Sequence, residues 1–468
     1  MKNFGNKVFI VGIAGISMSA IAKILVSQGK IVFGSDLNYN KRVAKELKKL
    51  GIGVVNQGQR CDIEQFNPDS VIYSVAIKPT DAELVWAREN NKNIFTRGEA
   101  LGEITKDFKN LICISGSHGK TTTTALLTNI FNLSGLDFFA HIGGESQDIG
   151  GNLRLGNKKD YFITEACEYY DSFLSLKPTI AVILNIACDH LDYFKNVENL
   201  KNSFLKFAEN VRAGGSVVVC VDDEGVLSII KSISTNNKGV YTFSTTSKNA
   251  DCYIVSYKKK KDGTMQVSVC VFGEVIQNIS LPLVGEHNLK NLCACILVAK
   301  ILGLKKTYIK NGIRLTLGVK RRYQRLGKIN NITYIHDYAH HPDEINAVID
   351  ETRSNMKDFE KLIVVFESHT YTRTQNLWEG FAMALKKADS SIVLPIYPAR
   401  EKPIKGITAK NLAGAITDSG GNGYFCDSYK KTEKLIKLLA NKKNTVCLLL
   451  GAGNIDRFGD YLFKNAKS

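Results

Sequence analysis

The chain has 468 residues, 44% of them hydrophobic, a length that suggests about three domains and a composition that can fill a core in each. Its 62 Lys+Arg against 45 Asp+Glu give a net charge of +17, which points to an anionic partner: nucleic acid, an acidic membrane surface or a polyanionic small molecule. The chain has no basic stripe interleaved with aromatics and no zinc-finger spacing, so nucleic acid is not expected; no apolar run reaches the ~18 residues that span a bilayer, so neither is membrane insertion.

The first elements form a βαβ start. Lys7 to Gly12 reads as a strand, Gly12-Ile13-Ala14-Gly15-Ile16-Ser17 turns into a helix reaching about Gln28, and a second strand, Ile31 to Gly34, ends in Ser35-Asp36. A glycine turn with an acidic residue about twenty positions on outlines a dinucleotide site. Ser17 stands where the third glycine belongs, so a purely structural turn fits as well as a ligand site. Further βα alternation follows, with Ser70 to Ala76 as a strand that includes Ser74. The first domain is expected to end in the polar connection Thr105 to Asn110.

The next stretch organises the chain. An apolar run, Leu111 to Ile114, meets the loop Gly116-Ser117-His118-Gly119-Lys120-Thr121-Thr122, and a helical pattern follows with Leu126, Leu127 and Ile130 on one face. Glycines at a strand-to-helix turn let backbone N–H groups face a phosphate, and the helix start adds its positive dipole end. Lys120 would reach the β- and γ-phosphates of a nucleoside triphosphate and the Thr121 hydroxyl would sit on Mg²⁺. Ile114 occupies the earlier glycine of the longer form of this motif, leaving the shorter G-x-x-G-K-T. A glycine-rich turn before a threonine-rich helix cap is the bland reading. Strand, loop and helix in register favour the nucleotide.

Two later strands place acids at a parallel-sheet edge: Asp160 to Thr164 runs into Glu165-Ala166-Cys167-Glu168, and Thr179 to Asn185 runs towards Asp189-His190. Glu168 and His190 are candidate Mg²⁺ ligands beside Thr121, although for His190 a supporting hydrogen bond serves equally well. Lys258 to Lys261, between alternating segments and beside Asp262-Gly263, reads as a solvated hairpin turn. Gly285 to Asn291 opens a helix on which Asn288 and Asn291 lie one turn apart, as two amides reading an adenine edge would; helix capping by Asn288 competes.

Gly318-Val319-Lys320-Arg321-Arg322-Tyr323 leads to a third αβ block. It holds Ile335 to Glu344, the strand Lys361 to Phe366 ending in Glu367 to Thr374, Ile392 to Tyr397, and Val446 to Leu450 entering Gly451-Ala452-Gly453. Six of the eight histidines (His118, His190, His287, His340, His341, His369) fall at strand ends or helix starts. His340 and His341 are adjacent and point apart, so they do not make a metal pair. Eleven cysteines, an odd number and never spaced C-x-x-C, suit core filling in a reducing compartment. The N-terminus enters a strand without a signal-peptide pattern, so a cytoplasmic protein is expected.

Taken in order, GIAGISM, SGSHGKTTTT, EACEYYDSFL, NIACDHLDYF, GEHNLKN, GVKRRYQ, HDYAHHPDEI, ESHTYTRT and YPAREKP cover nearly the whole chain, and together they resemble the Mur ligases of bacterial cell-wall synthesis. The resemblance implies an α/β protein of three domains. These are a Rossmann-like UDP-sugar domain at 1–107, a central P-loop ATPase-type parallel sheet with a hairpin insertion at 108–317, and a Rossmann-like domain at 318–468 completing the ATP and amino-acid site. It implies ATP and Mg²⁺ as cofactors and UDP-N-acetylmuramate and L-alanine as partners, in a monomer or homodimer.

By position, the resemblance gives Gly12, Ile13, Ala14, Gly15, Ile16, Asp36 and Ser74 to the UDP-sugar, and Gly116 to Thr122 to the phosphates. Thr121, Glu168 and His190 fall to Mg²⁺, Asn288, Asn291, Arg322 and Asp337 to adenine and ribose, and His341, His369 and Arg373 to the reacting groups, with Lys120. Departures are Ser17 for glycine, Cys167 for aspartate, and Thr370 where many relatives carry a second arginine. A carbamylated lysine found in some relatives has only Lys206 as a weak counterpart. The implied reaction runs through an acyl phosphate, with His341 or His369, titrating near neutrality, as base to the amine. Alternatives are a ligase that recycles a whole tripeptide onto the same sugar nucleotide, a folylpolyglutamate-type ligase, which the Gly12 turn disfavours, and a non-catalytic switch or nucleic-acid ATPase.

Overall fold

The computed structural model describes residues 3–187, 191–233, 238–260, 264–355, 358–399 and 401–465. Asp189 and His190, and the turn residues Lys261, Asp262 and Gly263, lie outside the described residues. Three sheets organise the chain. The first has five parallel strands in the order Gly53–Asn56, Ile31–Asp36, Lys7–Val11, Ser70–Tyr73, Asn93–Thr96. Its middle strand is buried from Val8 to Val11, as a parallel sheet covered on both faces requires.

The second sheet has ten strands: Glu274–Leu281, Met265–Val271, Cys252–Lys259, Gly239–Ser244, Ser216–Cys220, Ile180–Ile183, Asn110–Ser115, Tyr161–Glu165, Phe139–Ser146, Gly151–Arg154. Its centre is parallel, and antiparallel pairs close both ends. The expected hairpin insertion is the set of strands from Cys252 to Leu281. The third sheet runs Gln324–Ile329, Ile332–Asp337, Thr445–Leu450, Lys361–Phe366, Ser390–Val393, Gly423–Phe425, antiparallel only at its first pair.

Residues 1–258, 265–282 and 286–317 form one compact unit holding the first two sheets; residues 259–264, 283–285 and 318–468 form the other. Inside the first unit the helix Arg97–Thr105 packs on the segment Tyr169–Ser175, which follows Glu168. No described helix is long and apolar enough to cross a membrane. All cysteines among the described residues are free, and most are buried. On the helix His287–Ile301, Cys293 and Cys295 point apart, their thiols reaching the carbonyls of Ser244 and Thr123 respectively.

Candidate active site

The strand Asn110–Ser115 lies between Ile180–Ile183 and Tyr161–Glu165, parallel to both, so the carboxyl ends of three strands converge on one loop. That loop turns through Gly116 at φ +137° and Gly119 at φ +86°, and Gly119 caps the helix Lys120–Ser134. Both angles favour glycine, and the space beside each is tight. A Cβ on Gly116 would lie 3.1 Å from the Asn185 backbone nitrogen, and one on Gly119 would lie 2.7 Å from Asn291 Oδ1. Asn185 pins the loop, accepting from the His118 N–H at 2.8 Å and donating to the His118 carbonyl at 3.0 Å. Ser117 Oγ accepts from the Ala187 N–H at 2.9 Å.

Lys120 Nζ folds over this loop onto the carbonyls of Gly116 and Ser117 and pairs with the Glu168 carboxylate at 3.0 Å. Glu168 is 1% exposed. Burial works against the lysine charge, but the neighbouring Glu168, Cys167 and Glu165 more than offset it and hold the ammonium above its ordinary pKa. The Thr121 hydroxyl donates to Glu165 Oε2 at 3.1 Å, and the other oxygen of that carboxylate accepts from the Gly143 N–H at 2.6 Å. Glu165 was legible as a strand-end acid but was not singled out; its contact with Thr121 makes it part of the site.

Asn288 and Asn291 sit beside the loop, both 5% exposed. Asn291 Nδ2 donates to Asn288 Oδ1 at 2.9 Å. Asn288 does not cap the helix: the cap position is Glu286, and Asn288 is its second helical residue. Lys206 is exposed on the helix Val197–Glu209, and no contact among the described residues ties it to the loop. His190 lies outside the described residues.

On the first sheet, the glycine turn follows Lys7–Val11. The N–H groups of Gly12 and Ile13 donate to the Ser35 carbonyl at 2.8 and 3.0 Å. Asp36, 6% exposed, accepts from Ala14 N–H at 2.9 Å and Asn38 N–H at 2.7 Å, so its carboxylate fastens the turn. Gly15 caps the helix Ile16–Ser27 with no side-chain hydrogen bond. Ser74 Oγ accepts from the Ala76 N–H at 3.4 Å, past the strand Ser70–Tyr73.

The second unit gathers the remaining candidates. Asp337, at the end of Ile332–Asp337, accepts from Tyr323 N–H at 2.6 Å and Ala339 N–H at 2.8 Å; burial raises its pKa while Arg322 opposes. The guanidinium groups of Arg321 and Arg322 lie 4.9 and 5.4 Å from the Tyr338 ring centroid. Arg321 also donates to the carbonyls of Gly451 (2.7 Å) and Gly453 (3.1 Å), contacts that its place in the segment leading into the third block does not signal. Glu344 Oε2 accepts from the N–H groups of His340 and His341 at 2.9 and 3.2 Å. Burial opposes its charge, yet the bonds to His340 hold its carboxyl well below the usual range.

His369 pairs with Tyr397 as an isolated bridge and stacks on its ring at 5.4 Å. Its Nδ1 is buried and has no hydrogen-bond partner among the described residues. Burial first, then Arg373 and His340, lower its pKa to about 4, so it does not titrate near neutrality as expected of imidazole. Thr370 follows at φ +67°, a strained conformation for a β-branched residue, and begins the helix Tyr371–Asn376 that carries Arg373.

These features define a class: an α/β nucleotide-binding enzyme with a G-x-x-G-K-T loop, acidic groups at the neighbouring strand ends and a second αβ unit carrying imidazole and guanidinium groups. Three family models match, described as Mur ligase family, catalytic domain (7–109), Mur ligase middle domain (114–299) and Mur ligase, glutamate ligase domain (321–453). The UDP-N-acetylmuramate–L-alanine ligase of Acetivibrio thermocellus is 39% identical over 98% of this chain and 96% of its own. The like-named protein of Caldicellulosiruptor saccharolyticus is 38% identical, covering 97% of each chain. Among solved structures, the UDP-N-acetylmuramate-alanine ligase of Thermotoga maritima superposes with a TM-score of 0.81 at 25% identity, over 98% of this chain and 99% of that one. The chain belongs to the Mur ligase family.

Proposed function

We propose that the chain is an ATP-dependent ligase that joins L-alanine to the lactyl carboxylate of UDP-N-acetylmuramate, forming ADP and phosphate. The observation that carries the reading is the Lys120 loop with Glu168 and the Thr121–Glu165 contact at its mouth. It is supported by curated relatives of that name aligned along nearly the full chain. The corresponding domains are 1–107 for the sugar nucleotide, 108–317 for ATP and 318–468 for completing the ATP and amino-acid site.

A lactyl oxygen attacks the γ-phosphorus, the bond to ADP breaks, and an acyl phosphate forms. The amine of L-alanine then attacks the acyl carbon, loses a proton to a base, and phosphate leaves with its electron pair. The first step needs positioning and charge neutralisation more than covalent help. Lys120 supplies an ammonium that Glu168 keeps charged against burial, and the N–H groups of Gly119, Lys120 and Thr121 supply donors at a helix start.

Thr121, at the start of the helix Lys120–Ser134, and Glu165 and Glu168, at and just past the end of the strand Tyr161–Glu165, are hard oxygen donors and suit Mg²⁺. Among the described residues no group of three or more His, Cys, Asp or Glu is poised for a metal, so the set draws on the Thr121 hydroxyl and, outside those residues, His190. Bound there, Mg²⁺ would supply positive charge against the phosphate oxygens. Asn288 and Asn291 are assigned to the adenine, with Arg322 and Asp337. His369, neutral at pH 7, and His341 are assigned to the amine proton, and Arg373 to the carboxylate of L-alanine, which its planar fork matches.

The test is phosphate release from ATP with UDP-N-acetylmuramate and, singly, L-alanine, glycine, L-serine or L-Ala-γ-D-Glu-meso-diaminopimelate. Strongest release with L-alanine and a product of matching mass is expected. Release only with the tripeptide would make this a recycling ligase, and silence with all four would overturn the reading.

A further inference from the structure

Arg97 opens the helix Arg97–Thr105. A cation in the first helical turn faces the positive end of the helix dipole, and the acid of that turn, Glu99, is occupied by the Thr96 N–H in a capping box. Arg97 is half-buried, and among the described residues it makes no ion pair. Its hydrogen bond there is a long one, 3.5 Å to Ser17 Oγ. No described residue of the local fold supplies a counter-ion for this cation set against a helix dipole.

Ser17 lies in the first turn of the helix that follows the Gly12–Gly15 turn. Arg97 also acts on the central sheet: burial lowers the pKa of His141 to about 3 and Arg97 adds to the effect. The next residue, Gly98, is pressed onto the segment after Glu168, since a Cβ there would come within 2.8 Å of the Ser172 carbonyl oxygen. Arg97 therefore sits on a seam inside the first compact unit, with the glycine turn on one side and the strand-end acids on the other.

We propose that Arg97 binds an oxyanion of the sugar-nucleotide acceptor, its diphosphate or its lactyl carboxylate. The inference rests on the ligase reading above. The start of the helix Ile16–Ser27 offers N–H groups to a diphosphate, while the carboxylate has to reach the γ-phosphate beside Lys120. A guanidinium on the seam serves either oxyanion bidentately, and lysine would not reproduce that geometry.

The experiment compares wild type and Arg97→Gln. KM for UDP-N-acetylmuramate should rise about 10-fold or more, the scale of a lost charge-assisted pair, with KM for ATP nearly unchanged. Binding of UDP-N-acetylglucosamine, which lacks the lactyl group, assigns the source: weakened binding points to the diphosphate, unchanged binding to the carboxylate. A second measurement needs no variant. UDP-N-acetylmuramate, but not ATP, should protect Arg97 of the wild-type protein from phenylglyoxal, as mapped by mass spectrometry. An unchanged KM in a folded variant, or absent protection, overturns the assignment. Failure of the ligase reading shows separately, as wild-type protein that turns over none of the amino acids.

Discussion

Lys120 and His369 show how burial and neighbouring charge set the protonation of single residues. Lys120 is kept charged by Glu168, so it faces a phosphate as an ammonium. His369 is pushed the other way, to about 4, by burial and by Arg373. Because its folded pKa lies below the unfolded value of about 6.5, its contribution to stability is fully present above pH 6.5. That contribution is lost as pH falls through 4, where the folded protein must also accept the proton. An NMR titration of the His369 ring should give a midpoint near 4, and Arg373→Met should raise it part of the way, since burial remains. A wild-type midpoint near 6.5 would contradict this account and return His369 to the near-neutral titration expected of an isolated imidazole.

At the scale of elements, the helix Arg97–Thr105 tests whether close approach or propensity decides a glycine. Glycine inside a helix costs about 1 kcal/mol relative to alanine. A Cβ on Gly102 would lie 2.3 Å from the Ser175 carbonyl oxygen, a backbone atom that cannot rotate away. Gly414, on the exposed side of the helix Ala409–Asp418, has nothing within 4 Å of an added Cβ. Gly102→Ala should therefore destabilise by about 1–3 kcal/mol, and Gly414→Ala should stabilise by up to about 1 kcal/mol. Urea midpoints check both, and a stabilised Gly102→Ala would mean that the approach relaxes freely.

These elements also show what the sequence could carry. Lys361–Phe366 was read with its observed bounds because its apolar run coincides with its ladder. Ile392 to Tyr397 was overextended: the strand is Ser390–Val393, while Leu394 and Ile396 stay buried beyond it. Apolar runs report burial, not pairing. The Lys120 loop was legible because its residues are contiguous. Contacts such as Thr121 to Glu165, Arg321 to Gly451 and Arg97 to Ser17 join distant positions through side chains that no local period marks.

For the whole molecule, the question is whether the proposed boundary at 318 delimits a part that folds unaided. Strand residues of the third sheet alternate between two cores. Ile335, Leu362, Val364, Phe366, Leu448 and Leu450 face one, and Tyr334, Ile363, Val365, Cys447 and Leu449 face the other. Helices of the same stretch cover both: Trp378–Leu385 and Ala409–Asp418 contribute Phe381, Leu385, Leu412 and Ile416 to the first, and Tyr429–Ala440 and Ile455–Asn465 contribute Ile436, Phe458 and Leu462 to the second. A largely parallel sheet with both faces covered by its own helices leaves little apolar surface that needs another domain. At about 150 residues it is also long enough to sustain a core. A fragment of residues 318–468 should thus unfold in urea in a single cooperative transition, with near-UV circular dichroism from its buried Tyr334 and its half-buried tyrosines intact beforehand. A fragment with secondary structure but no cooperative transition would mean that this sheet depends on residues before Gly318 and that the boundary is misplaced.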